Sequence, residues 1–274
     1  QGVHGAEAAL KGGGAHARGH QHVQARLDIA AVRHRPRQVA LHAADVVEVK
    51  VQYLNGKRHG LTEQFSTDGT LVRQCNYQQG EQHGECREFY PNGQLMNALL
   101  FKQGKQHGEQ QWFSDQGQLL QKQHYIDGMF AGEQLHYHSN GELSKRITYH
   151  TTERNANGQF PLHGANETYQ ENGLPFDLSN YVLGERDGVH KRYIEDKLVE
   201  ESYYKAGKRH GLSKTFYSSG EPREHNTYVD GQLTGPFKSW HINGMLRAPD
   251  PVVLRTVWDL GRHFSLCRDI PLDA

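Results

Sequence analysis

The chain repeats itself at intervals of 24 residues, and that period limits its fold more than any other feature. YLNGKRHGLTEQFSTDGTL begins at Tyr53, YQQGEQHGECREFYPNGQL at Tyr77, FKQGKQHGEQQWFSDQGQL at Phe101 and YIDGMFAGEQLHYHSNGEL at Tyr125. A fifth copy starts at Tyr149 and carries an insertion before His163 and Gly164; a sixth starts at Tyr181, a seventh at Tyr204 and an eighth at Tyr228. A unit this short holds one supersecondary element, which buries its apolar face only by stacking on its neighbours.

Each copy reads as two short strands and two turns. The segment after His-Gly, such as ECREFY or EQQWFS, is aromatic-rich; a glycine turn follows, and then a second strand such as QLMNALLF. Asn-Gly and Asp-Gly fall where a tight hairpin needs positive φ. The expected fold class is therefore all-β: an elongated antiparallel meander of tandem β-hairpin repeats, a single-sheet solenoid of about eight repeats of about 24 residues and sixteen or so strands. At about 4.8 Å per strand, eight units extend roughly 75 Å.

The repeat also changes how single residues are read. Gly-Lys-Gln-His-Gly at Gly104 to Gly108 has the look of a phosphate loop or a metal site, yet its histidine is one of a column: His59, His83, His107, His163 and His210, with Ala131, Asp187 and Thr234 in the other copies. Catalytic residues are unique, whereas a recurring histidine belongs to the scaffold. Its simplest role is to hydrogen-bond a turn backbone, ahead of a glycine that takes positive φ. The turn glycines so predicted are Gly60, Gly84, Gly108, Gly132, Gly164, Gly188, Gly211 and Gly235. Neighbouring column histidines would stand about 10 Å apart, too far to share one zinc ion. No metal and no cofactor is expected. A phosphate loop would need Ser or Thr after Gly-Lys and a following helix, and neither is present.

Two aromatic columns run through the copies: Tyr53, Tyr77, Phe101, Tyr125, Tyr149, Tyr181, Tyr204 and Tyr228, then Phe65, Phe89, Phe113, Tyr137, Tyr169, Tyr193, Phe216 and Trp240. They predict a stripe that packs the units together. A single curled sheet cannot cover both faces, so part of the stripe is also a candidate recognition surface. The candidate partner-binding residues are Tyr77, His83, Phe101, His107, Trp112, Tyr125, Tyr204 and His210. No Ser/His/Asp grouping or carboxylate pair stands out, which argues against an enzyme.

Composition narrows the partners. Lysine plus arginine and aspartate plus glutamate number 31 each, so no net field draws the chain to nucleic acid. Only 35% of residues are hydrophobic, too few for a thick core. No apolar run reaches the roughly 18 residues that span a bilayer. Cys75 and Cys86 are equidistant from the Gly80-Glu81 bond and oppose each other in the simplest register; reduced thiols are the favoured reading, and a cross-strand disulfide follows if the protein is exported. The chain starts at Gln1 rather than Met, which leaves room for residues ahead of it, so export stays open although the cytoplasm is favoured.

Three regions follow. Residues 1–44 have no Phe, Tyr or Trp and read as a low-complexity or disordered segment, with a poorly formed helix weighed over 22–33. Residues 45–246 form the repeat domain, opened by a strand in DVVEVKVQY, and residues 247–274 form a tail in which VVLRTVW is a candidate capping strand.

Gly-Lys-x-His-Gly, an aromatic pair about five residues on, x-Asn-Gly-x-Leu, and Tyr-x-x-Gly opening the next copy together resemble the variant MORN repeat of bacteria, as found in YwqK-type antitoxin proteins. The likeness is strongest in Tyr77 to Leu95 and Tyr204 to Gly220, and it covers about seven tenths of the chain, Tyr53 to Leu246. It implies a non-catalytic all-β scaffold that binds a protein partner, in some members a co-encoded toxin. Eukaryotic MORN proteins imply the alternative, a peripheral module for lipid headgroups or glycans. The missing histidines in the fourth, sixth and eighth copies depart from the pattern, as does the insertion HTTERNANGQFPLHG from His150 to Gly164, a candidate site of individual recognition.

Overall fold

The computed structural model describes residues 37–41 and 47–247. Its twenty strands form one antiparallel sheet in which successive strands pair in chain order. The all-β meander read from the sequence is the architecture. The strand Arg37–Leu41 pairs with Val47–Leu54 ahead of the first repeat, so ordered pairing reaches into the stretch read as low-complexity. The helix weighed over 22–33 and the strand weighed over 252–258 lie outside the described residues.

Two kinds of turn alternate. Asn55-Gly56, Gln79-Gly80, Gln103-Gly104, Asp127-Gly128, Leu183-Gly184, Ala206-Gly207 and Asp230-Gly231 have positive φ at both residues. This two-residue turn twists in the same sense as the strands it joins. The other connection is a three-residue loop such as Pro91-Asn92-Gly93, closed by Gly93 N–H to Tyr90 O at 2.9 Å and Tyr90 N–H to Gln94 O at 2.8 Å. There the Asn92 side chain accepts the Gln94 N–H at 3.0 Å, and only the glycine takes positive φ.

The His-Gly pairs sit elsewhere than the sequence suggested. Tyr77 pairs with Gln82 and Cys75 with Cys86, so Asn76 alone faces His83, Gly84 and Glu85. His-Gly therefore forms a bulge of two extra residues inside the strand, not a turn, and a bulge bends its strand. All eight predicted glycines do take positive φ, from +63° at Gly132 to +99° at Gly164. At Gln106/Gly108, Arg186/Gly188 and Arg209/Gly211 the bulge divides one strand into two pieces. Rejoining these leaves seventeen strands, close to the sixteen or so expected.

One face carries the buried row. Gln110, Gln123, Gln134, Ser179, His190, Ser202 and Ser213 are buried there, with Val51, Cys75 and Cys86, no more than one of them to a strand. Because all strands belong to a single sheet, this row is covered only by the aromatic rows flanking it on the same face. The bulges and glycine loops bend the strands so that both rims lean inward over a shallow trough.

The buried row is polar because the bulge strips backbone partners from the neighbouring strand. Gln110 replaces them: its Oε1 accepts the Leu100 N–H at 2.9 Å and its Nε2 donates to Leu100 O at 2.8 Å. Gln134 Nε2 likewise donates to His124 O at 2.9 Å and Ala131 O at 3.0 Å. Gln110, bonded through both its oxygen and its nitrogen, avoids the cost of an unpaired polar group, whereas Gln134 Oε1 is buried without a partner among the described residues.

Cys75 and Cys86 are joined by a disulfide within this row. This corrects the reading of reduced thiols. The hairpin is centred on Gln79-Gly80, not Gly80-Glu81; the two bulge residues then shift the register so that the cysteines meet.

Candidate functional site

The two rims hold the side chains with the greatest recognition potential. On the first rim a column aromatic followed by a two-residue turn lies beside the second residue after that turn: Tyr53 beside Arg58, Tyr77 beside Gln82, Tyr125 beside Phe130, Tyr181 beside Arg186 and Tyr204 beside Arg209. The same aromatic faces a bulge glycine on its other side, as in Phe101 opposite Gly84 and Tyr125 opposite Gly108, which gives the ring room to lie flat along the rim. The result is a row stacked in short runs. The Arg186 guanidinium lies 5.8 Å from the Tyr181 ring and 4.9 Å from the Tyr204 ring, and Arg209 lies 5.5 Å from the Tyr228 ring. Arg58 lies 5.4 Å from the Tyr77 ring. In mid-sheet Phe130 replaces the arginine and packs 4.8 Å from Tyr125 and 5.8 Å from Tyr149. Each contact of this kind contributes about 0.5–1 kcal/mol.

The aromatic columns are half-buried throughout, so they serve as packing and as surface at once. Of the candidate binding residues, Tyr77, Phe101, Tyr125 and Tyr204 share this rim, while Trp112 stands across the trough opposite Asn97 and Gln121. The structure does not gather them into one cluster. It strings them along the sheet.

His107 belongs to a joint between repeats, whereas among the described residues His83 forms no such bond and His210 Nδ1 lies 3.5 Å from Asp230 Oδ1 without a hydrogen-bond partner. The Nδ1 atoms of His59, His107 and His163 each lie 3.5 Å from the backbone nitrogen of Gln79, Asp127 and Leu183, respectively. Each donor is the backbone N–H of the first residue of the following repeat's two-residue turn. The histidine thus caps the next turn rather than its own. In the sixth copy Asp187 Oδ2 accepts the Ala206 N–H at 3.1 Å and does the same work. After Ala131 the tight turn is replaced by the enlarged loop, and Thr234 bonds back to Thr227 O within its own hairpin at 3.4 Å.

That loop is anchored, with Phe160 buried. Arg154 lies 4.3 Å over the Phe160 ring, donates to Gly158 O at 2.8 Å and approaches the Asp127 carboxylate at 3.8 Å. The loop therefore leans on the preceding turn beside Phe130, which is 40% exposed.

One constellation escaped the sequence reading. His190 Nε2 lies 2.9 Å from Asp177 Oδ2, and Ser202 faces His190 on the next strand. The Ser202 hydroxyl, however, donates to Glu200 Oε1 at 3.0 Å and shares a 2.9 Å bond with Ser213, and Ser202 is 0% exposed. A nucleophile needs a base in reach and a substrate beside it. This network is internal cross-strand bonding. The open hollow of about 300 Å³ lined by Glu85, Ala98, Leu99, Leu100, Glu109 and Gln111 holds two carboxylates, each already paired with a cation, Glu85 with Arg87 at 2.6 Å and Glu109 with Lys122 at 2.8 Å.

The fold and the spacing of these features can be set beside known families. Residues 58–79, 82–103, 106–127, 131–150 and 209–230 match the family described as MORN repeat variant. These five stretches are similar to MORN-variant repeats. They make up about two fifths of the chain, and MORN repeats form scaffolds that are in general non-catalytic. The unmatched stretch between them keeps the same bulges, at Gly164 and Gly188, and the same turn at Leu183-Gly184. No curated protein matches the chain.

Proposed function

We propose that this protein is a non-catalytic MORN-type scaffold that holds another protein, in the manner of an antitoxin or immunity protein neutralising a toxin encoded beside it. The observation that supports this reading most is the first rim, where aromatic and arginine side chains stack in short runs: Arg58 on Tyr77, Phe130 between Tyr125 and Tyr149, Arg186 between Tyr181 and Tyr204, and Arg209 on Tyr228. Aromatics and arginine are the residue types that dominate protein-binding hot spots. Rings and guanidiniums fixed by their neighbours lose little conformational entropy on binding. The balance of 31 basic and 31 acidic residues supports a protein partner over an anionic bilayer, which a basic cluster would serve.

The test is coexpression with the product of the adjacent gene. A stable complex on size exclusion, and relief of that product's toxicity, are the expected results. Sedimentation with anionic vesicles together with failure to bind any protein would overturn the reading.

A further inference from the structure

The arginines of the first rim are not equivalent in their electrostatics. Arg209 Nη2 is bonded to Glu200 Oε1 at 3.0 Å, and Arg192 approaches the same carboxylate at 3.4 Å. Asp177 is engaged by His190, and Asp187 by the Ala206 N–H. Arg186, between Tyr181 and Tyr204, reaches only the Tyr181 hydroxyl at 3.4 Å among neighbouring side chains, and no carboxylate lies within 4.0 Å of it among the described residues. Its ring neighbours hold the guanidinium between them and leave it without a charged partner. A guanidinium with open donors is matched best by a carboxylate, which accepts two parallel N–H bonds.

We infer that the strip Tyr181–Arg186–Tyr204–Arg209–Tyr228 is the docking line for an acidic, extended segment of a protein partner, a proposal that rests on the scaffold reading above. Charge complementarity selects the occupant. Tyr181, Tyr204 and Tyr228 add hydroxyl donors on the same line, and the positive ring edges of a stacked aromatic row favour the same sign of ligand. Spacing selects its shape. Arg186 and Arg209 are separated by two strand intervals, about 9.6 Å, and carboxylates three residues apart on an extended chain of polyproline-II type, with three residues per turn, lie on one face about 9.3 Å apart. The segment therefore crosses the strands along the rim, with one carboxylate on Arg186 and another beside the less available Arg209.

The experiment uses the full chain and a fluorescein-labelled peptide with glutamates three residues apart, together with its all-glutamine analogue, read by anisotropy. The glutamate peptide should bind at least about tenfold more tightly than the analogue, and Arg186→Gln should remove about tenfold of that affinity, the scale of a charge-assisted hydrogen bond. Arg87→Gln on the opposite face should change nothing, and added salt should weaken binding. Arg186→Lys keeps the charge and loses the fork, so a several-fold loss with an unchanged unfolding temperature is expected; it replaces Arg186→Gln should that variant fail to fold. Equal binding of both peptides overturns the strip, as does indifference to both Arg186 variants. Loss of phosphatidylserine-vesicle binding in these variants, without glutamate-peptide binding to the parent chain, would assign the strip to lipid and overturn it too. A protein partner held equally well by the parent and the Arg186 variants would remove the strip but leave the scaffold standing, whereas the absence of any protein partner would remove the scaffold reading itself.

Discussion

Asp187 accepts the backbone N–H of Ala206 at 3.1 Å, a bond that reaches from one repeat to the turn of the next. His59, His107 and His163 address the same atom of their own following turns. The recurring position is thus defined by a hydrogen-bond acceptor of a certain reach, not by imidazole chemistry. Asp187→His should preserve stability, and Asp187→Ala should lower it by about 1 kcal/mol, the net contribution of one such bond. Urea denaturation of the three chains measures this; equal stability of Asp187→Ala and the parent would refute the capping role.

Gln110 should be among the least replaceable side chains of the trough. It is fully buried and bonds both backbone groups of Leu100; the carbonyl also accepts the His107 N–H at 2.9 Å, so the Leu100 N–H is the group that depends on Gln110. Gln110→Ala leaves the Leu100 N–H without a partner and opens a cavity, at a cost of about 2–4 kcal/mol. Amide hydrogen exchange at Leu100 is the local readout. Unchanged protection there would contradict the assignment.

Gly108 separates backbone strain from crowding. An added Cβ would lie 2.8 Å from Leu100 Cδ2, but that methyl ends an exposed side chain and yields, so φ of +87° sets the cost. Gly108→Ala and Gly56→Ala, the latter at +75° with nothing within 4 Å, should each lose about 1–3 kcal/mol. A loss at Gly108 several kcal/mol above that at Gly56 would show that crowding dominates. Gly108→Asn should be milder than Gly108→Ala, because asparagine tolerates the left-handed region.

Acid should weaken the last repeats through His225. Burial lowers its pKa below the ordinary 6.5, and Lys214 and Lys238 on the flanking strands push the same way. The unfolded chain then takes up this proton first as pH falls, so the stabilising contribution is complete above pH 6.5 and is lost as pH drops through the lower folded value. His225→Gln should flatten the fall in unfolding temperature between pH 7 and pH 5 relative to the parent. His136, lowered by burial and by Lys145, predicts the same sign in mid-sheet.

The cysteine pair gives a redox prediction. Cys75 and Cys86 are 2% and 1% exposed, and their bond closes a hairpin of sequence separation 11. Non-reducing mass spectrometry of the native protein should find no free thiol at either position. Reduction should lower the unfolding temperature, by an amount bounded by roughly 3 kcal/mol of loop-closure entropy.

The repeat, its period and its antiparallel order are legible in one chain because Tyr-x-x-Gly and Asn-Gly punctuate strands at fixed intervals. The glycines that need positive φ are legible for the same reason. What the punctuation does not display is the two-residue bulge: His-Gly next to a turn looks like part of it, and only the pairing of Tyr77 with Gln82 and Cys75 with Cys86 separates them. The opposed cysteines were found from a symmetric hairpin whose centre lies one residue from the true one. Two offsets, in turn position and in bulge size, cancelled. Asp177, His190 and Ser202 stayed hidden because they lie on three successive strands with no shared motif, and a register is needed to align them. Phe130 was passed over because it replaces an arginine or glutamine at a position whose stacking becomes visible only when the neighbouring tyrosines are seen on either side.

The caps that run from one repeat to the following turn give the molecule a direction. His59 waits for Gln79, and His107 for Asp127, about 20 residues later in the chain. At synthesis rates of about 5–20 residues per second, that interval is about 1–4 seconds. A nascent unit that carries such a cap is therefore finished by its successor, like a zip whose slider follows the hand.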